Sequence, residues 1–158
     1  VKKTLVLILS LLSLSASAGA QGMKGDDSAA SSPGGAMMAA DPSRAVFDLK
    51  GMAPGVLPFS SEAAAQALAA KRRVVYFFAA SWCPTCQETY RNLKADAKKT
   101  PSDLTILVVD FDASKALKAK YGVMAQHTFV LIGPKGEKQK AWLGTTTVEE
   151  ISRNAVKA

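Results

Sequence analysis

Two runs in this chain hold their apolar residues in unbroken blocks rather than in alternation, Val74-Val75-Tyr76-Phe77-Phe78-Ala79 and the Ile106 to Val109 interior of Thr105 to Asp110, and His127 to Ile132 is expected as a third strand. Rich in β-branched and aromatic residues, such runs fit strands buried on both faces, so whatever sheet they form needs cover on each side. The segments between them supply that cover. Ser60 or Ser61 can cap a helix, with Glu62 in its first turn and strong helix formers from Ala63 to Ala70. Pro84 is pre-organised for the first helical position and predicts a helix that runs to about Lys99, ahead of Pro101. Ser114 can cap a shorter helix through Tyr121, with Gly122 as its stop. Gly133-Pro134-Lys135-Gly136 is a turn signal leading to a fourth strand, Glu137 to Leu143, and Thr147 opens a last helix with Glu149 and Glu150 in its first turn. Ala45 to Leu49 is expected as a short edge strand. Buried strands alternating with helices imply a parallel section, and the tight turn implies an antiparallel hairpin. The expected fold is therefore α/β, a mixed central sheet with helices on both faces.

The N-terminus reads differently. Lys2 and Lys3 precede an apolar run from Leu5 to Leu14, then the small residues Ala16 to Ala20. This is the order of a secretory signal peptide, and the apolar run gives out well short of the roughly 20 residues of a membrane-spanning helix. Residues 1–20 are expected to be removed, with cleavage after Ala20 favoured over Ala18. From 21 to 44 the chain turns to Gly, Ser, Ala, Pro and Met without apolar period, the composition of a flexible spacer. Met37-Met38 is read as part of that spacer rather than as a soft copper ligand. Residues 45–158 form the single folded domain. Export to a periplasmic or other extracytoplasmic space permits cysteines to cycle or stay oxidised. The formal charge of +7 is scattered among acidic residues, and the one tight basic run is Lys71-Arg72-Arg73. That is no nucleic-acid footprint, which wants a basic face with interleaved aromatics.

The only two cysteines stand in Trp82-Cys83-Pro84-Thr85-Cys86, where a buried strand gives way to a helix. Unpaired N–H groups and the positive dipole end at a helix start stabilise a thiolate, which makes Cys83 the expected nucleophile. Cys86 falls one turn further along the same face, where it can attack the mixed disulfide that Cys83 forms with a client. A structural disulfide closing so small a loop would restrict the unfolded chain little. Haem attachment fails because Gln87, not His, follows the second Cys. A four-ligand zinc site is poorly supplied by two Cys and one His.

The run from Tyr76 to Cys86, with Val108-Val109-Asp110, Tyr121-Gly122-Val123 and Thr128 to Ile132 downstream, resembles the thioredoxin family over Ala45 to Ala158. The resemblance implies a thioredoxin-like fold and thiol–disulfide exchange with protein clients and a redox partner protein, without a bound cofactor. Pro84-Thr85 is similar to the dipeptide of exported thioredoxin-like reductases that serve cytochrome c maturation, which tilts the expectation towards reduction. Three departures stand out. Where the family has a cis-proline facing the redox pair, this chain has His127; a non-proline cis bond costs about 3 kcal/mol, so a trans peptide is expected there. The family's buried Asp corresponds to Phe77 and its partner Lys to Val108, which removes the usual proton acceptor for Cys86.

Two readings of His127, the only histidine, stay open: a ring beside Cys83 that tunes the thiolate or takes a proton from Cys86, or a space-filling residue with local hydrogen bonds. Trp82 reads as a client-contact aromatic, with packing over the helix start as the plain alternative. Asp110, Asp112 and Glu88 read as solvated or capping carboxylates. Pro84 and Thr85 complete the set of residues expected to modulate the pair. The rival function is a copper-handling module using Cys83, Cys86 and His127. A monomer without stable membrane insertion after cleavage is expected.

Overall fold

The computed structural model describes residues 46–156. The expected leader at 1–20 and spacer at 21–44 lie outside the described residues. The strands are β1 Val56–Pro58, β2 Arg73–Ala79, β3 Leu104–Asp110, β4 Thr128–Ile132 and β5 Lys138–Leu143, and the helices are α1 Glu62–Ala69, α2 Pro84–Ala95, α3 Lys115–Tyr121 and α4 Val148–Asn154. The sheet runs in the order β1-β3-β2-β4-β5. β1 and β2 lie parallel to β3, whereas β4 pairs antiparallel with both β2 and β5. The chain thus has the thioredoxin-like α/β fold, a mixed sheet with a parallel section and a C-terminal hairpin.

The strand pleat sorts β2 onto two cores. Val75, Phe77 and Ala79 pack with Cys86 and Leu93 of α2 and with Val148 and Ile151 of α4. Val74, Tyr76 and Phe78 pack with Ala65 and Ala69 of α1 and with Leu117 and Tyr121 of α3. Helices therefore cover both faces, and the cysteines belong to the α2/α4 side.

Local signals account for most boundaries. Ser61 caps α1 by accepting from the Ala64 N–H at 3.2 Å. Thr147 and Glu150 form a reciprocal capping box on α4. Gly122 ends α3 at φ +68°, a conformation that costs a glycine little.

Three expectations need correction. Residues 46–49 form no strand; Val46, Phe47 and Leu49 pack on the core as partly buried side chains, and Phe47 stacks on Tyr90 with centroids 4.8 Å apart. The edge strand is Val56–Pro58, reached through Gly55, whose backbone passes so near the Leu104 carbonyl that a Cβ would sit 2.5 Å from it. Helix α2 stops at Ala95 and tightens into a 3-10 turn at Ala97–Lys99, because Thr100 precedes Pro101 and is forced extended. Ser114 makes no capping bond; Asp110 instead closes the turn after β3, its carboxylate accepting from the Asp112 and Ala113 N–H groups at 2.8 and 3.0 Å.

Candidate active site at the start of helix α2

Cys83 occupies the capping position of α2 in extended conformation, with Pro84 at the first helical position. Its sulfur does what a capping oxygen usually does: the Cys86 N–H points at Sγ from 3.2 Å, and the Thr85 Oγ1 lies 3.2 Å from it on the other side. Both cysteines are free thiols. Cys83 is 1% exposed and Cys86 fully buried, with Trp82, Pro84 and Thr85 exposed around them.

The surroundings separate the two thiols. Burial pushes the Cys83 thiol up, but the hydrogen bonds from Cys86 and Thr85 together outweigh it and hold the group below the ordinary thiol value. At Cys86 the backbone groups of Ala80 and His127 pull downward but are outweighed. Burial first, and then its own hydrogen bond towards Cys83, push it up to about 12. The two thiols are thus shifted in opposite directions, Cys83 towards easier ionisation and Cys86 away from it.

His127 completes the cluster: a ring nitrogen of His127 and the two sulfurs all lie within 4.8 Å of one another. Its preceding peptide is trans, and its φ of +61° places it in the left-handed region, where His is found more often than most non-glycine residues. The backbone is held there by the His127 N–H donating to the Phe78 carbonyl at 2.8 Å. Nε2 lies 3.0 Å from the Thr145 carbonyl oxygen. A carbonyl only accepts, so Nε2 carries the ring proton and Nδ1 keeps its lone pair. Nδ1 is buried and has no hydrogen-bond partner among the described residues. Burial pulls the imidazole below its ordinary value, against the opposing pull of the Thr145 carbonyl and the Glu88 charge, so the ring is neutral near pH 7. The imidazole near the sulfurs therefore carries a lone pair, on Nδ1, and no positive charge.

The rest of the lining is aromatic. The His127 ring meets Phe77 and Phe129 edge-on, with centroids 5.7 and 5.5 Å away, and those two rings stack on each other at 4.6 Å. Trp142 stacks on the far side of Phe129 and donates its indole N–H to Thr145 Oγ1 at 3.0 Å, which steadies the turn that holds His127. Nothing in the sequence pointed to Thr145, since its contribution is a backbone carbonyl. Trp82 is 57% exposed and engages Asp112 through its indole N–H at 2.9 Å, so its ring faces solvent beside the pair rather than packing over the helix. Asp112 is thereby a partner of Trp82, not a merely solvated carboxylate, and Glu88 stays exposed.

The arrangement is one for sulfur exchange: a thiol shifted towards ionisation at a helix start and a second thiol a turn behind it. Comparison with known proteins agrees. The family model described as Thioredoxin matches residues 55–157. Thioredoxin H-type 1 of Nicotiana tabacum is 37% identical over 87 residues, which covers 55% of this chain and 67% of that protein. The crystal structure of Trxlp from Edwardsiella tarda is 31% identical, covering 62% of this chain and 95% of that one with a TM-score of 0.51. A mutant thioredoxin from Halobacterium salinarum, 22% identical with a TM-score of 0.51 over 64% of this chain and 88% of its own, shares the fold. With the family model spanning the sheet, all four helices and the cysteine pair, the chain belongs to the thioredoxin family, and its general reaction is thiol–disulfide exchange.

Proposed function

We infer that this chain is an exported protein-disulfide reductase that works through a mixed disulfide. The observation that carries the reading is the separation of the two thiols by the α2 start, Cys83 lowered and Cys86 pushed up to about 12. The Cys83 thiolate attacks one sulfur of a client disulfide, and the other client sulfur leaves as a thiolate that takes a proton from solvent. Cys86 then gives its proton to the free Nδ1 of His127 and attacks Cys83 Sγ. This releases the second client sulfur and closes the Cys83–Cys86 disulfide. A dithiol partner protein returns the two electrons. His127 stands in for the acceptor that Phe77 removes, and the exposed ring of Trp82 offers clients an apolar contact beside the sulfur. Pro84-Thr85 supports the reducing direction. The basic, apolar and small-residue order of 1–20 supports export to a periplasmic or extracytoplasmic space, and the clients are proteins rather than nucleic acids.

The test is reduction of insulin by a dithiol reductant, together with client trapping. The wild type accelerates insulin precipitation, Cys83→Ser does not, and Cys86→Ser accumulates covalent client adducts that dithiothreitol releases. Adducts on Cys83→Ser but not on Cys86→Ser would reverse the assignment, and no acceleration by the wild type would end it.

A further inference from the structure

We propose that, when the pair is reduced, Cys83, Cys86 and His127 form a three-coordinate site for Cu(I). Three observations converge on it. The two sulfurs and a ring nitrogen lie within 4.8 Å of one another, and all three side chains are buried. His127 Nδ1 is a buried acceptor with no partner, on a side chain that is only 6% exposed. Nε2 already makes the outer-shell bond that metal-binding imidazoles make: it gives its proton to a backbone carbonyl, that of Thr145 at 3.0 Å. The ring is thus held in the tautomer a metal needs before any metal arrives.

Size and donor type select the ion. With metal–sulfur bonds of about 2.3 Å, ligands around a trigonal centre stand about 4 Å apart. The present separations need to close by less than an ångström, which side-chain rotation supplies. Two thiolates and one imidazole are soft donors. Zinc asks for a fourth ligand, and among the described residues the group contains no fourth His, Cys, Asp or Glu. Cu(I) accepts three. The residual negative charge of two thiolates and one Cu(I) faces the N–H groups at the start of α2, where an anion is favoured.

From the dithiol, binding breaks two S–H bonds, forms two Cu–S bonds and one Cu–N bond, and releases two protons; from the form with Cys83 already ionised it breaks one S–H bond and releases one proton. No electron moves. Metal and disulfide are therefore alternatives at the same sulfurs: Cu(I) requires the reduced pair, and while bound it withholds the Cys83 nucleophile from clients. The site does not depend on the reductase reading, because it needs only the two thiols and the imidazole.

The experiment titrates the full reduced chain, without oxygen, against the coloured Cu(I)–bicinchoninate complex. The wild type is expected to withdraw one Cu(I) per chain, and X-ray absorption is expected to show two sulfur neighbours and one nitrogen. Asn adopts the left-handed conformation readily, so His127→Asn keeps the backbone at φ +61° and removes the imidazole. It is expected to fold, judged by its urea midpoint at pH 7, and to bind Cu(I) about tenfold or more weakly, the scale set by loss of a metal-site partner. Equal affinity in His127→Asn, a copper spectrum without the nitrogen neighbour, or no withdrawal by the wild type would each overturn the site. Insulin reduction by the same metal-free preparation separates the two readings: activity without Cu(I) binding sinks the metal site alone, and Cu(I) binding without activity sinks the reductase alone.

Discussion

Phe77 and Val108 are register partners on the adjacent parallel strands β2 and β3, and both are buried in the core that contains Cys83 and Cys86. The floor beneath the thiols is therefore hydrocarbon, with no acid or base of its own. What polar chemistry reaches the sulfurs comes from the helix start above and from His127 at the side.

The first consequence concerns the helix start. Thr85 Oγ1, at 3.2 Å, is one of the groups that hold the Cys83 thiol down. A hydrogen bond to a charged group is worth about 1.5 kcal/mol at the low end, and one pH unit corresponds to about 1.36 kcal/mol. Thr85→Ala is expected to move the midpoint of Cys83 alkylation upward by about one pH unit or somewhat less, since Thr85 is exposed. Iodoacetamide rates measured against pH on Cys86→Ser and on Thr85→Ala/Cys86→Ser would show it; identical midpoints would remove Thr85 from the thiolate's support.

Resolution should depend on the imidazole. General bases contribute about 10²-fold or more, and Cys86 is the thiol that most needs one. In His127→Asn, decay of a mixed disulfide preformed on Cys83 with a small aromatic thiol is expected to slow by about two orders of magnitude near pH 7 and to recover as pH rises. The first attack by Cys83 should change far less. An unchanged decay rate would make His127 a spacer.

Acid should destabilise the fold through the same residue. His127 is lowered from 6.5 in the folded chain, chiefly by burial, so below that pH the unfolded chain binds a proton here that the folded chain refuses. The stability it contributes is present above the unfolded value and is lost as pH falls through the folded one. Urea midpoints of the reduced wild type are expected to drop between pH 7 and pH 5 more steeply than those of His127→Asn. Parallel curves would contradict the assigned titration.

A fourth prediction tests how the sheet is tied to α4. Arg73 grips Asp103 with two bonds of 2.7 and 2.9 Å and also donates to the Ser152 carbonyl at 3.0 Å, near the end of α4. The Asp103 side chain is 61% exposed, so Asp103→Ala should cost less than about 1 kcal/mol. Arg73→Ala also orphans part-buried carbonyls and is expected to cost about 1–3 kcal/mol. Equal urea-derived losses for the two variants would mean that the helix contacts carry nothing.

Much of this molecule was legible one residue at a time. The unbroken apolar blocks became β2 and β3, because a strand buried on both faces has no use for alternation, and the third expected strand became β4. Pro84, Gly122 and Thr147 marked their helix ends because capping and φ preferences act within a few residues. The edge strand was misplaced for the opposite reason. Val56–Pro58 is three residues long and is a strand because Ile106–Val108 lies beside it, whereas the more apolar Val46 to Leu49 found a packing site instead.

The reactive pair belongs to the same local class: Cys83 caps the helix and Cys86 lies one turn on, so their sequence spacing alone determined that they would meet. The role of His127 does not. It stands 41 residues beyond Cys86, and it reaches the sulfurs because β4 pairs antiparallel with β2 and its own N–H bonds the Phe78 carbonyl. Its tautomer is set by a carbonyl on the turn after β5. Strand register and a backbone acceptor 18 residues away are properties of the assembled sheet, carried by no side-chain pattern, and only the tertiary structure could decide that a neutral imidazole lies beside the two thiols with Nδ1 unpartnered.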